Sequence, residues 1–401
     1  MKKMVKRTAV VTLAGVMSVG MLSGCGSKTL DGTKTVATVD GTDIPLGVVS
    51  LYAREQQQQT TTMYLNYMGS ADNIWDQTAG DDSDETYGDQ AVTSSLESIE
   101  KMYVLKEKAA DYKVELTDDD EAAIADAASQ FMAANSEETI KELAVTEDQV
   151  KTLLELQTIQ KKMYDPVVEE GNITVSDDEA NQTTFTYVSI STSGDDVTDE
   201  EKETKKEQAQ EILDKMKEDP AADMSEIAKG VDDSYSAVQG NFTTKESEDE
   251  DEDSSSEAYP DEVLKVLRGL KDGEVADNII ETDTGYYVVR LDKINDEDAT
   301  ASKRESLQNS KESTYFTDTT AKWLDEADVK VVKKVLKTLK ITDKHTFMAP
   351  TPTPIPETPT PEVTEEATPT PETEEVTETP AAEETVEATE TPEATPTEAA
   401  K

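Results

Sequence analysis

The feature that most limits what this chain can fold into is a low-complexity segment at its carboxyl end. From Pro350 onwards the sequence is almost entirely Thr, Pro, Glu and Ala, and it holds 11 of the 15 prolines and 14 glutamates. Large apolar side chains are nearly absent there, so burial cannot offset the entropy of ordering this backbone. We therefore predict a disordered acidic tail over residues 346–401, so any compact structure must lie within residues 1–345.

The amino end has the pattern of an export signal. A basic stretch over residues 2–7 precedes an apolar one from Thr8 to Leu22, which is too short for a convincing transmembrane helix. The only cysteine, Cys25, follows Leu22-Ser23-Gly24, and this arrangement resembles a bacterial lipobox. We predict a lipoprotein signal peptide over residues 1–24 and a lipid on Cys25 that holds the chain at the extracytoplasmic face of the cell membrane. The alternative is a plain secretory signal with an incidental cysteine.

Charge and rare residues exclude several kinds of function. The chain has 38 Lys and Arg against 88 Asp and Glu, a formal net charge of −50, which disfavours nucleic acid as a partner. One cysteine excludes an internal disulfide and a cysteine zinc site, and one histidine excludes a multi-histidine metal site. We therefore expect no metal, no other cofactor and no nucleic-acid partner. The length of 401 residues suggests two or three domains.

Much of the chain before residue 182 has the spacing of amphipathic helices. After a linker over residues 25–35 and a short strand at 36–39, apolar residues recur at helical spacing over 45–68 and 90–112. Ser or Thr followed three residues later by Asp, Glu or Gln marks helix starts at Thr117, Thr146, Ser176 and Thr198. We predict an all-helical domain over residues 36–182. A segment at 296–345, helical over 302–340, is predicted to return to that domain.

Residues 183–295 have a different composition. Thr184–Thr192 alternates and is rich in β-branched residues, which predicts a strand, and Gly285–Leu291 predicts a second one. Three helical segments lie between them, so this unit is predicted to be of the β-α-α-α-β type. The expected fold class is therefore α+β, with the unit inserted into the helical domain.

Several segments of this unit resemble parvulin-type peptidyl-prolyl isomerases. They are the strand Phe185–Ser191, the helix at 207–217, Met224–Lys229, Gln239–Phe242, and Leu270–Val275 followed by Gly285–Leu291. The segment Val36–Pro45 resembles the start of the chaperone domain of the same foldases. With the lipobox, the order of these parts is similar to the parvulin-type foldase lipoproteins of Gram-positive bacteria. The resemblance implies a helical chaperone domain with an inserted parvulin-like domain.

The resemblance also implies site residues. The two histidine positions of the family correspond to Tyr187 and Tyr287, and its acidic or thiol position corresponds to Asp233. These three are the expected catalytic residues, and the expected proline pocket is lined by Phe242, Tyr259 and Val263. Rotation about an Xaa–Pro bond crosses a barrier of about 18–20 kcal/mol without breaking a covalent bond. Such a site needs an apolar pocket and a polar group beside the twisted amide.

Three functions remain open. The first is a membrane-anchored foldase that binds unfolded or nascent secreted proteins and isomerises their Xaa–Pro bonds. The second is a non-catalytic holdase on the same fold, because tyrosine replaces both family histidines and stacked tyrosines often serve only as core. The third is a surface-binding lipoprotein. The sequence leaves open whether two copies pair as a homodimer.

Overall fold

The computed structural model describes residues 18–19, 30–80, 84–194, 197–245, 259–343 and 347–348. Apart from the two short strands at Ser18 and Phe347, the predicted signal peptide and tail lie outside these residues, as does Cys25. The helices are α1 (Leu46–Met68), α2 (Tyr87–Lys108), α3 (Asp118–Ala134), α4 (Glu137–Leu143), α5 (Glu147–Gly171), α6 (Asp177–Ala180), α7 (Asp199–Glu218), α8 (Met224–Lys229), α9 (Asp261–Leu267), α10 (Glu297–Glu326) and α11 (Lys333–Leu336). The strands are β1 (Ser18–Val19), β2 (Thr35–Val39), β3 (Thr42–Pro45), β4 (Gln182–Ser191), β5 (Val238–Thr243), β6 (Ile280–Thr282), β7 (Gly285–Lys293), β8 (Val329–Val331) and β9 (Phe347–Met348).

The helical region packs around a large hydrophobic core, with a second, smaller cluster between α2, α5 and α10. Helix α2 contacts α1 and α5, and α3 packs against α5. Their apolar faces meet in a cluster that includes the fully buried Val36, Ile44, Leu51, Ile99 and Leu153. Two of these residues belong to a three-stranded antiparallel sheet with the order β3-β2-β8. The region is therefore mainly helical. The strand predicted at 36–39 is present as β2, whereas β3 and β8 were not expected in a domain predicted to be otherwise all-helical.

The prediction of continuous helix over 302–340 is wrong between Glu326 and the short helix α11. Helix α10 ends at Glu326, and β8 pairs antiparallel with β2, with Val331 opposite Ala37 and Val329 opposite Val39. The sequence from 329 to 331 is Val-Lys-Val, a short period-two pattern of β-branched residues that favours a strand. Strand β8 thus adds a segment from much later in the chain to one edge of this sheet.

Side-chain caps fix the starts of four helices where the sequence predicts them. Thr117 with Asp120, Thr146 with Gln149, Ser176 with Glu179, and Thr198 with Glu201 each form a reciprocal capping box. In such a box the hydroxyl and the acidic or amide side chain satisfy backbone N–H groups that lack helical partners. Helix α4 was not predicted; it begins after Ser136, whose hydroxyl accepts a hydrogen bond from the Thr139 N–H.

Thr117→Ala is expected to lower the free energy of unfolding by about 1 kcal/mol, because it removes one half of the α3 capping box. Asp120, the other half, also bonds the Lys162 ammonium, and despite burial these contacts lower the pKa of Asp120 to about 2. Urea unfolding measures the change. The matched control is Thr152→Ala, whose hydroxyl bonds only the Asp148 carbonyl inside α5. An equal loss in both variants would contradict the capping role.

The α+β unit has two more strands than predicted. Its four-stranded antiparallel sheet has the order β5-β4-β7-β6. Helices α7 and α8 cover one face, where they pack on Val188, Ile190 and Val288. Helix α9 lies on the other face with Phe185 and Val289. Gly240 interrupts the sequence pattern of β5, and β6 has only three residues, so neither strand shows a clear alternation in the sequence.

Candidate functional site

One face of the four-stranded sheet carries a group of rings that we call the aromatic cluster: Phe185, Tyr187, Phe242, Tyr259 and Tyr287. Side chains alternate between the two faces of a strand, so Phe185 and Tyr187 share a face of β4. In the β4–β7 register Tyr187 lies opposite Val289, two positions from Tyr287 on the same face. The rings of Tyr187 and Tyr287 stack with centroids 5.9 Å apart. The sheet thus brings together the two tyrosines at the family's histidine positions.

Tyr259 enters the cluster from the segment before α9. Its ring meets Phe185 edge-on at 4.9 Å and Tyr187 at 5.6 Å. The Asn241 backbone N–H of β5 donates a hydrogen bond to its hydroxyl. Gly240 makes this approach possible, because a Cβ at residue 240 would lie 2.2 Å from the Tyr259 Oη. Tyr259 can therefore occupy this position only because residue 240 of β5 is a glycine.

The aromatic cluster has a buried end, formed by the phenylalanines, and a partly exposed end, formed by the tyrosines. Phe185 and Val263 are fully buried and Phe242 is nearly so, while the three tyrosines are partly exposed and pack against that core. The Arg268 guanidinium lies 5.6 Å from the centre of the Phe242 ring, within the range of a cation–π contact. Val263, predicted to line a proline pocket, thus lies in the core that supports the tyrosines.

Burial further favours the neutral form of Tyr187 and Tyr259 by raising the pKa of each phenol. It raises the pKa of Tyr187, with a smaller contribution from the neighbouring Tyr287. Burial also raises the pKa of Tyr259, to which Tyr187 adds. Both phenols therefore stay neutral at physiological pH. A neutral phenol both donates and accepts a hydrogen bond, so the cluster presents hydroxyl groups beside the apolar surface formed by Phe185, Phe242 and Val263.

Asp233 lies apart from the tyrosines in its contacts. It is exposed in the loop between α8 and β5. The neighbouring Tyr235 packs on the opposite face of the sheet, and its hydroxyl donates to Gln208 of α7 at 2.6 Å. Within the described ranges no hydrogen bond joins Asp233 to Tyr187 or Tyr287. The structure therefore groups five of the six predicted site residues and leaves Asp233 outside the group.

The residues that form most of the α+β unit match a known family of domains. Residues 195–304 match the PPIC-type PPIase domain, the domain of peptidyl-prolyl cis–trans isomerases. The chain carries a PPIC-type domain. This confirms the expected resemblance to parvulin-type isomerases. The matched residues of the PPIC-type domain include Asp233, Phe242, Tyr259, Val263 and Tyr287 and begin after β4, so Tyr187 precedes them.

The chain also matches solved structures of foldase and isomerase proteins. One is foldase protein PrsA from Lactococcus lactis, at 16% identity and a TM-score of 0.31, covering 75% of this chain and 96% of that one. Another is peptidylprolyl isomerase PrsA from Bacillus anthracis, at 17% identity and a TM-score of 0.26, covering 58% and 96%. PrsA from Bacillus subtilis has 16% identity and a TM-score of 0.23, covering 77% and 98%. No curated protein matches the chain.

Two residues that shape the aromatic cluster, Phe185 and Gly240, were not predicted as site residues from the sequence. Phe185 stacks on Tyr187 at 5.3 Å and forms the buried end of the cluster, and Gly240 admits Tyr259. The alternation of β4 could have identified Phe185, because residues 185 and 187 must share a face. Among the described residues, no helix is long and apolar enough to cross a membrane, and no group of three or more His, Cys, Asp or Glu side chains could hold a metal ion.

Proposed function

We propose that the chain is an extracytoplasmic foldase, anchored to the membrane by a lipid on Cys25, that binds unfolded secreted proteins and isomerises their Xaa–Pro bonds. The observation that carries the proposal is the aromatic cluster in a unit matched by the PPIC-type family. Its partly exposed tyrosines surround an apolar floor, as a site for a proline ring requires. The amide must lose its resonance in the transition state, so hydrogen bonds from fixed hydroxyls to the twisted amide would lower the barrier.

Tyr187 and Tyr287 are the hydroxyls proposed to contact the twisted amide. They stand on the two central strands β4 and β7, and the stack between them restricts their rings. Tyr259 is proposed to flank the proline ring, because its own hydroxyl already accepts from Asn241. Asp233, exposed in its loop, is proposed to act on bound substrate only if that loop moves toward the tyrosines.

A separate surface of the helical region is suited to unfolded chains. The last turns of α1 expose Met63, Tyr64, Tyr67 and Met68, and Tyr67 and Met68 are 84% and 74% exposed. Residues three or four apart are neighbours on a helix surface, and Tyr64 is so spaced from Tyr67 and Met68, as Met63 is from Tyr67, so these side chains form one apolar patch. Methionine adapts to irregular apolar partners. We call this surface the α1 patch and propose that it holds clients.

Tyr67→Ser with Met68→Ser is expected to reduce the suppression of client aggregation severalfold, because it removes the most exposed apolar area of the α1 patch. Light scattering of a heat-denatured client measures the effect, and Xaa–Pro isomerisation should be unchanged. The matched control is Tyr87→Ser, a 44% exposed tyrosine at the start of α2. Equal suppression by wild type and the double variant would contradict the role of the patch.

One assay separates the foldase from the holdase. A client whose refolding is limited by proline isomerisation is refolded with a substoichiometric amount of the chain, and both rate and yield are followed. The foldase predicts a faster slow phase and a higher yield. A higher yield without acceleration would support the non-catalytic holdase, which the tyrosines at both histidine positions favour. If the chain changes neither the refolding rate nor the yield, both the foldase and the holdase are contradicted.

A further inference from the structure

Strand β4 runs past the end of its neighbour β5. Tyr187 lies opposite Val238, the first residue of β5, so residues 188–191 of β4 have no strand on that side among the described residues. A groove of about 500 Å³ lies along this open edge. We call it the β4 edge groove; its lining includes Ser189, Ser191, Glu201, Lys205, Asp232 and Tyr235.

We propose that the backbone of Ser189 binds an extended client segment beside its proline, as a strand added to β4 in the β4 edge groove. The proposal deepens the proposed function, on which it rests, by naming how the client chain is held. Its occupant is defined by an extended backbone with an N–H group to donate, and not by a particular side chain.

Hydrogen bonds along β4 show which way the Ser189 backbone points. The Thr192 N–H donates to the Thr284 carbonyl at 2.9 Å, in continuation of the β4–β7 pair. In an antiparallel pair, residues that bond a given neighbour alternate along the strand with residues that do not. Even-numbered residues at this end of β4 therefore bond toward β7, and odd-numbered ones point to the side of β5. The Ser191 carbonyl agrees with this direction, because it accepts from the Lys205 ammonium in the groove at 2.7 Å.

The N–H and C=O of Ser189 are therefore directed into the β4 edge groove. Ser189 is exposed, and no described residue supplies a hydrogen bond to these two backbone groups on that side. An open strand edge with both groups available is a template for an added strand. Proline has no N–H to offer there, but a residue near it in the client does.

The charged side chains of the β4 edge groove are already engaged within the chain. The Glu201 carboxylate accepts from the Thr198 N–H at 2.8 Å, and the Asp232 carboxylate accepts from the Ser234 hydroxyl at 2.6 Å. The ammonium group in the groove bonds a β4 carbonyl. The backbone of Ser189 is thus the recognition group that the groove offers. Recognition by backbone suits client proteins of unrelated sequence.

The Ser189 backbone lies next to the proposed proline site. In the β4–β7 register Ser189 is opposite Tyr287, and it follows Tyr187 by two residues on the same face of β4. Two residues of a strand span about 7 Å. A client with its proline over the two tyrosines would therefore reach Ser189 with a residue about two positions from the proline. This pairing would hold the chain beside the Xaa–Pro bond while the bond rotates.

Peptide binding to the purified full chain tests the Ser189 contact. The probe is a short fluorescent Ala/Gln peptide with one central proline, followed by anisotropy. Ser189→Pro should bind it about fivefold more weakly than Ser189→Ala, because both variants lack the hydroxyl and only the first lacks the N–H. The matched control is Glu281→Pro at the exposed outer edge of β6, on the other side of the sheet, which should bind as wild type does. Urea unfolding checks that each variant is folded.

A scan of N-methylated peptides tests the same contact with the wild-type chain. N-methylation removes one backbone donor at a time from the probe. Methylation at one residue within about three positions of the proline should weaken binding about fivefold, because that N–H pairs with the Ser189 carbonyl. Methylation at the ends of the peptide should have no effect. The scan decides the matter if Ser189→Pro does not fold.

Three outcomes would overturn the β4 edge groove as a client site. They are equal binding by the Ser189→Pro and Ser189→Ala variants, a scan without a sensitive N–H, and no binding by wild type. If wild type self-associates in sedimentation and Ser189→Pro does not, the edge pairs with a second copy, which also overturns the proposal. Xaa–Pro isomerisation is measured on the same samples. Isomerisation without a Ser189 effect leaves the foldase in place, whereas Ser189-dependent binding without isomerisation contradicts only the isomerase.

Discussion

Between pH 4 and pH 8 the wild-type chain is expected to lose about 3 kcal/mol of unfolding free energy that the Glu100→Gln variant keeps. Burial, with a smaller contribution from Glu97, raises the pKa of Glu100 to about 7 from 4.5. A pKa difference of one unit between the folded and unfolded states corresponds to about 1.4 kcal/mol. Glutamine cannot ionise, so it removes this pH dependence whatever its effect at a single pH.

The direction of the Glu100 effect follows from proton binding. The folded state holds the Glu100 proton more tightly than the unfolded state, because its pKa is higher. As the pH rises from the unfolded value through about 7, the unfolded chain ionises first and stability falls. Below the unfolded pKa both states are protonated and the penalty is absent.

Urea unfolding at several pH values between 4 and 8 measures the Glu100 effect as the difference between wild type and variant. Other carboxylates contribute equally to both proteins and cancel. The matched control is Glu305→Gln, an exposed glutamate of α10, whose curve should run parallel to that of wild type. A Glu100→Gln curve that also runs parallel would contradict the role of this buried carboxyl, which is only 6% exposed and whose Oε1 makes no hydrogen bond to a described residue.

The Tyr187→Phe/Tyr287→Phe variant is expected to catalyse Xaa–Pro isomerisation at least tenfold more slowly than wild type. Phenylalanine keeps both rings and their stack at 5.9 Å, so the loss comes from the hydroxyls. One hydrogen bond that strengthens in the transition state and contributes about 1.4 kcal/mol changes the rate about tenfold. The free energy of unfolding should change little, because no buried ring is lost.

The tyrosine variant is compared with Tyr235→Phe. That hydroxyl donates to Gln208 on the opposite face of the sheet, so its removal should leave isomerisation unchanged. The rate constant is taken from a proline-limited refolding assay at several concentrations of the chain. An active double variant would assign the tyrosines a structural role and move the chemistry elsewhere in the domain.

The sequence predicts the parts of the fold that local chemistry determines. The four capping boxes occur where a hydroxyl and its partner are three residues apart. Strand β4 follows from its alternation, and β7 from a run of aromatic and β-branched residues. Strands β5, β6 and β8 carry little local signal, because pairing with distant segments stabilises them. The weak β-branched pattern of Val329–Val331 is completed by antiparallel pairing with Ala37–Val39. A three-residue pattern next to a long helix does not reveal that partner.

The candidate site could be predicted only in part. The family resemblance placed Tyr187 and Tyr287, and the alternation of β4 and β7 puts each on the face of Phe185. The contacts of Tyr259 depend on a tertiary detail, the approach of its hydroxyl to Gly240, which no local pattern encodes. Asp233 matched the family in sequence. In the structure it lies in an exposed loop whose Tyr235 contacts α7, on the face of the sheet opposite the tyrosine cluster.

Exchange spectroscopy by NMR tests the central claim most directly. A short peptide with one Xaa–Pro bond is mixed with a substoichiometric amount of the purified chain, and the cis–trans exchange rate is measured without any folding step. Uncatalysed exchange takes tens of seconds or longer. A tyrosine-based isomerase predicts cross-peaks between the cis and trans signals within seconds, lost in the Tyr187→Phe/Tyr287→Phe variant. Exchange that stays at the uncatalysed rate with wild type would contradict the isomerase.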